Sequence, residues 1–266
     1  MSLLLDHVPH TCGVYIFWGE GKLPLYIGKS VDIRSRVMSH VRAPDEAEMM
    51  SQSRRVEYVE TAGEIGALLL ESHWIKQMNP IYNVRLRRTR NLCTLQWVQL
   101  AEGWMPQAVV GRDLGLGKVN GLYGLFSSPR SAHNKLRELA DQHSLCLGLL
   151  GLEKIGARGC FGLQLKTCLG ACVGKEARAL HDARLLEALQ DMQVHAWPFA
   201  GAIDLIETQG EWVQRHRIQD WRYLGTQCSK AQALKVQVAQ SFDLDTYKIL
   251  VKPIMLGSVP FEVLAN

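Results

Sequence analysis

GVYIFWGEGKLPLYIGKS, residues 13–30, sets Tyr15 and Tyr26 in two short β-forming runs and closes on Gly28-Lys29-Ser30. The runs GVYIFW and PLYIG are separated by GEGKL, whose glycines suit a turn, so the stretch predicts a β-hairpin. Ser30 offers an N-cap, and Asp32 a first-turn acid, for a helix over VDIRSRVMSHV. In that helix Ile33, Val37 and Val41 form one apolar stripe, while Arg36 and His40 share the adjacent face. Gly-Lys-Ser at a strand-to-helix turn also ends a phosphate-binding loop, but that loop needs an earlier glycine at the position that holds Leu23 here.

Working outward, RRVEYVETA (54–62) alternates like a strand, and GEIGALLLESHWIKQM reads as a long helix stopped by Asn79-Pro80. The order β-β-α-β-α predicts a small α/β domain over residues 1–90. Residues 91–198 read as a mixed module. It comprises a β-ribbon from CTLQWVQL to LYGLF, a helix opened by Ser128-Pro129, a cysteine-rich stretch, and the helix EARALHDARLLEALQDM. From 199 to 266, AIDLIET, WVQRHRIQDWRYLG and TYKILVKPI alternate, which predicts a small β-rich C-terminal module.

With 266 residues, 47% of them hydrophobic, the chain has ample material for such cores. Its net charge of +4 is mildly basic and by itself selects no partner. No segment approaches the roughly 20 apolar residues of a membrane span, and the first ten residues lack a secretory pattern, so a cytoplasmic protein without membrane contact is expected. The seven cysteines are then expected to stay reduced. Cys12, Cys93 and Cys228 stand alone as small core residues, whereas Cys146, Cys160, Cys168 and Cys172 fall close together. Four such thiols suit zinc, an iron-sulfur cluster or no metal at all. The histidines show no HxH or HExxH spacing.

Glu71 carries the strongest chemical signal. Its helical neighbours are Ala67, Leu68, Trp74 and Ile75, so the carboxylate sits on an apolar stripe. A buried carboxylate without a partner is costly, so a core cation or a metal should meet it. Together with Tyr15, Tyr26, Lys29, Arg36 and His40 it supplies what phosphodiester hydrolysis needs: a proton acceptor, a cationic clamp and a metal ligand.

GVY at 13–15 and YIG at 26–28 resemble the two signature halves of the GIY-YIG nucleases. LYIGKS with IRSRVMSH, LLLE and NPIYNVRLRR is similar to the N-terminal nuclease domain of UvrC, over about residues 11–90. The resemblance implies that Glu71 binds one divalent cation, Mg²⁺ or Mn²⁺, and that Arg36 contacts the scissile phosphate. It gives water activation to Tyr26, assisted by Lys29, with Tyr15 lining the same site; which tyrosine is the base stays open. Asn83 closes the family pattern and orders the site. His40 stands where many relatives carry tyrosine, and a histidine there can still donate to a phosphate oxygen. The basic run Arg85, Arg87, Arg88 and Arg90 is a solvated strand edge or, in a DNA nuclease, a phosphate track.

GCFGLQLKTCLGACVGK resembles the cysteine-rich region of UvrC, which implies a [4Fe-4S] cluster on Cys146, Cys160, Cys168 and Cys172, with zinc as the substitute. Residues 200–266 show no Phe-Glu-rich UvrB-binding helix, no second endonuclease domain and no tandem helix-hairpin-helix. That shortened layout resembles UvrC homologues that make only the 3′ incision. The expected activity is therefore metal-dependent cutting of damaged double-stranded DNA marked by UvrA and UvrB. A partner-independent, structure-specific nuclease and a non-catalytic DNA-binding scaffold are the alternatives.

Overall fold

The computed structural model describes residues 7–83, 92–101, 103–110, 115–230 and 242–264, and the backbone of 234–235. It divides into two compact units, 1–89 together with 197–266, and 90–196.

In the first unit the predicted hairpin forms from β1 (Gly13–Trp18) and β2 (Pro24–Ser30), with β3 (Arg55–Glu60) on the other side of β1. Tyr15 lies opposite Gly28, and Phe17 opposite Tyr26. Strand alternation sends Tyr15 and Phe17 to one face, where they pack with Ile33, Val37 and Met49. Val14, Ile16 and Ile27 go to the other, against Ala67, Leu70 and Ile75. The first face is covered by α1 (Ile33–Arg42) and α2 (Ala47–Gln52), which are linked by a short 3₁₀ turn over Pro44–Glu46. The second face is covered by α3 (Glu64–Met78), which ends where Asn79 turns left-handed at φ 51°.

Two details differ from the sequence reading. Helix α1 is capped by Asp32, whose side chain accepts from the Ser35 N–H at 2.9 Å, because the Ser30 hydroxyl is spent on the Asp32 backbone. On the same helix Val41 is exposed and His40 is buried.

The C-terminal part of this unit is a five-stranded sheet of order β10-β9-β8-β7-β11. Its strands are β7 (Ile203–Gln209), β8 (Trp212–Gln219), β9 (Arg222–Cys228), β10 (Leu234–Lys235) and β11 (Phe261–Val263). Here TYKILVKPI is no strand. It lies in α7 (Leu244–Met255), which is capped by Asp243. Its buried Tyr247, Leu250 and Ile254 recur at helical spacing, a period that the apparent alternation of the stretch obscures. Trp221 packs edge-on against Trp197 and Tyr247, at 5.1 and 5.0 Å between ring centres.

The second unit holds a three-stranded sheet of order β5-β4-β6, from β4 (Cys93–Leu100), β5 (Gly103–Val110) and β6 (Leu122–Phe126). Against it pack α4 (Pro129–His143), opened by a Ser128 capping box, and α6 (Arg178–Gln190); the single turn α5 (Phe161–Gln164) lies in the cysteine-rich stretch. Leu95, Leu136, Leu139, Leu185 and Leu189 form the core. No helix among the described residues is long and apolar enough to cross a membrane.

Leu136 is 1% exposed at the centre of that core. Leu136→Ala should cost about 2–5 kcal/mol, read as a lower urea midpoint for the second unit; a midpoint unchanged from wild type would show that the core is not organised around it.

Candidate active site and cysteine centre

Gly28 makes the first site. A Cβ there would run into the Tyr15 hydroxyl and the Tyr26 ring, so only glycine lets the two strands bring these tyrosines together. Tyr15 is fully buried. Its hydroxyl meets His40 Nε2 at 2.6 Å, and Nδ1 of the same ring meets the Glu46 carboxylate. A carboxylate only accepts, so Nδ1 carries the proton and the Tyr15 hydroxyl donates to Nε2. Burial, with Arg36 adding to it, pulls His40 below its ordinary value although Glu46 opposes this, which keeps the ring neutral as that tautomer requires. Burial also pushes Tyr15 far up, with Tyr26 adding and Arg36 opposing. Tyr26 is half-buried and likewise raised, by burial first and the Glu71 charge second.

Glu71 reaches this end of the sheet from α3. Its Oε1 accepts from the backbone N–H of Lys29 at 3.0 Å, and among the described residues no cationic side chain pairs with it. The core ion pair expected from the sequence is thus absent among the described residues. Burial pushes its pKa up, offset only in part by the Lys29 N–H and charge. The Lys29 ammonium itself pairs with Glu64 on the first turn of α3. Asn83 anchors the chain after α3: its Oδ1 accepts from Ile27 N–H at 2.9 Å and its Nδ2 donates to Ile27 O at 2.8 Å. Arg85, Arg87, Arg88 and Arg90 lie outside the described residues.

The structure thus brings Tyr15, Tyr26, Lys29, Arg36, His40, Glu71 and Asn83 to one part of the first unit. Both nitrogens of His40 are occupied, so the ring orders Tyr15 instead of facing a phosphate. Glu46 and Glu64 were missed in the sequence. Each is an ordinary surface-type acid whose partner lies on another element; Glu46, six residues beyond His40, offered only its proximity.

In the second unit the sulfurs of Cys146, Cys160, Cys168 and Cys172 all lie within 4.8 Å of one another. Cys160 caps α5 and accepts from Leu163 N–H at 3.3 Å, and Cys168 accepts from Gly170 N–H at the same distance. Burial drives Cys160 up to about 11 and Cys146 higher still, whereas hydrogen bonds from Cys160 and Cys146 outweigh burial at Cys172 and lower it. Thiols packed this closely and buried fit a thiophilic centre, zinc or an iron-sulfur cluster. His181, fully buried, accepts from Cys146 N–H at 3.1 Å and is oriented through Nδ1 by Asp182 at 3.2 Å, a support that sequence spacing could not reveal.

Three family models match the chain: the UvrC-like GIY-YIG domain over residues 11–84, the UvrC/Cho excinuclease middle domain over 92–191, and the excinuclease Cho C-terminal domain over 202–266. The chain is 47% identical to excinuclease cho of Escherichia coli K12 over 257 residues, 96% of this chain and 86% of that protein. Against excinuclease cho of Salmonella typhimurium it is 47% identical over 95% of this chain and 86% of the other. UvrABC system protein C of Methanospirillum hungatei is 28% identical over 66% of this chain and 33% of its own length. The magnesium-bound GIY-YIG domain of UvrC from Thermotoga maritima superposes on 30% of the chain, and on 90% of that domain, at 30% identity and a TM-score of 0.28, too limited to add to the sequence matches.

Below the ordinary histidine pKa of about 6.5, the folded state, which keeps His40 neutral, binds fewer protons than the unfolded chain. The stability this contributes is complete above that pH and is lost as pH falls through the folded value. Melting temperatures should therefore drop from pH 7 to 5.5, with a shallower drop in His40→Gln; parallel slopes for the two proteins would contradict the assignment.

Proposed function

The chain belongs to the excinuclease Cho family of UvrC-type GIY-YIG endonucleases, DNA-cleaving hydrolases of excision repair, and we propose from that premise that it makes the 3′ incision beside a lesion with a divalent cation held by Glu71. The observation that carries the metal role is the state of that carboxylate. It is half-buried, one oxygen is fixed by a backbone N–H, and among the described residues no cationic side chain neutralises it.

Mg²⁺ or Mn²⁺ bound there would act as a Lewis acid on the scissile phosphate and on the departing oxygen. The rest falls to side chains. Arg36, lying against the Tyr15 hydroxyl, presents its guanidinium to the phosphate, where it would stabilise the growing charge of the transition state. The full burial of Tyr15 supports Tyr26 as the tyrosine that, as its phenolate, receives the water proton. The Glu71 charge is one cause of the high Tyr26 pKa, so a cation held at that carboxylate would make the Tyr26 phenolate, the form that can accept a proton, easier to reach. Glu46 and His40 hold Tyr15, and through it the position of Arg36. Lys29 balances the acids of α3, and Asn83 ties the chain after α3 to β2.

In this reading residues 1–90 cut and 91–198 carry a metal-loaded cysteine centre. The third module, 199–266, supports the nuclease domain. Damaged duplex DNA is the substrate, UvrA and UvrB mark it, and the setting is the cytoplasm. At the cysteines the family resemblance implies a [4Fe-4S] cluster, with zinc as the substitute, and the four clustered thiols support a metal centre of either kind.

An end-labelled duplex with one bulky adduct, incubated with Mg²⁺, should be cut on the 3′ side only when UvrA and UvrB are present. Glu71→Gln should lower that rate at least about 10²-fold with DNA binding intact. Cutting without the partners would replace this reading with a free-standing nuclease, and full activity in Glu71→Gln would remove the metal role. Protein purified without oxygen should be brown and absorb near 400 nm, with the absorbance lost in Cys160→Ser; colourless protein with one zinc per chain would replace the cluster with zinc.

A further inference from the structure

Helix α3 carries Glu71, yet its own N-terminus is uncapped. The N-cap position is Gly63, which has no side chain to serve the first free N–H groups. Those groups are met from far along the chain. Glu207 on β7 accepts from Ile65 N–H through Oε1 at 2.9 Å and from Gly66 N–H through Oε2 at 2.7 Å, the two donors that an N-cap side chain serves. The negative charge also sits at the positive end of the helix dipole.

The carboxylate is itself held. His216 Nε2–H donates to Glu207 Oε2 at 3.1 Å, and His216 Nδ1 meets Thr226 Oγ1 at 2.7 Å. His216 is 1% exposed and Thr226 3%, so the group is a closed polar network. Glycine makes the approach possible at both positions: a Cβ on residue 63 would strike Glu207 Oε1, and one on residue 66 would come within 2.7 Å of His216 Cε1.

Nearby, Ala62 N–H donates to Gln214 Oε1 at 2.9 Å. At the opposite end of α3, Lys76 reaches Asp243 at 2.6 Å and Asp245 at 2.8 Å, and Asp243 is also the N-cap of α7. Both ends of α3 are therefore held by residues 207–245, with Glu71 between them.

We propose that the C-terminal module is a positioning clamp on the catalytic helix, with Glu207 as the N-cap that α3 lacks and the Lys76 pairs fixing its far end. The proposal rests on Glu71 being the metal ligand. A clamp of this kind acts on the placement of Glu71 relative to Lys29 N–H, so its loss appears in metal affinity and turnover and leaves DNA binding unchanged.

Mn²⁺ binding to the full chain, followed by the paramagnetic signal of the free ion, tests this beside cleavage and melting. Glu207→Ala should weaken Mn²⁺ binding about three- to thirtyfold, the span that a lost helix cap carries. It should slow cutting at limiting metal, with the KM for DNA unchanged. Without the Glu207 carboxylate residue 63 has room, so adding Gly63→Asp should restore both metal affinity and rate. If Glu207→Ala does not fold, Glu207→Gln, which keeps one acceptor oxygen, should show a smaller shift in the same direction. A Glu207→Ala protein that melts lower but binds Mn²⁺ like wild type, while Glu71→Gln has lost the ion, overturns the clamp. So does a double variant that regains its melting temperature without its Mn²⁺ affinity. Should Glu71→Gln bind Mn²⁺ like wild type, the metal reading is what fails, and an unchanged cutting rate in Glu207→Ala then rejects the clamp as well.

Discussion

The bond from Lys29 N–H to Glu71 joins the end of strand β2 to the middle of the helix packed on one face of the sheet. Because the donor is backbone, its position is set by strand register, in which Lys29 faces Val14. A side-chain cation at this place would have neutralised the carboxylate. A backbone N–H fixes one oxygen and leaves the charge largely in place, offsetting only part of the rise in pKa that burial causes. The surrounding residues serve that arrangement: Glu64 draws the Lys29 ammonium to α3, and Asn83 pairs with Ile27, two residues earlier on the strand.

The two faces of the small sheet divide the labour. Beneath α3 the packing is apolar, from Val14, Ile16 and Ile27 against Leu70 and Ile75, and it sets the height of the helix. Beneath α1 a polar chain runs from Glu46 through His40 to Tyr15, and both ring nitrogens of the buried His40 and the Tyr15 hydroxyl have partners on it. A partly satisfied network would be costly at that depth, whereas a complete one fixes rotamers that dispersion forces alone would leave free.

What was legible in the sequence follows from separation along the chain. The hairpin, α3 and the position of Glu71 among Ala67, Trp74 and Ile75 are local patterns, and periodicity expresses them directly. The cysteines were legible as a group because four thiols in a short stretch are rare, and the family resemblance extended this to a cluster. The spacing of their sulfurs comes from the turn after α4, the cap of α5 and a 3₁₀ turn at Ala171–Val173, which only the fold brings together. Glu46, Glu207, His181 and Asp243 gave no such signal, since each acquires its role from a partner on another element. The misread stretch at Tyr247 shows the opposite failure: apolar residues alternating over a few positions satisfy the strand period, and the Asp243 cap decides for a helix.

The cap of α3 lies 142 residues downstream of Ile65. On the ribosome, at about 5–20 residues per second, the segment holding Ile65 emerges about seven to twenty-eight seconds before Glu207 does. During that interval the hairpin, α1 and α3 can collapse on their own apolar contacts, but the first turn of the helix that bears Glu71 has only water to bond with. The helix that bears Glu71 therefore receives its cap from a segment made well after it, and a nascent chain that ends before Glu207 carries the motif residues of the hairpin and helices without that cap.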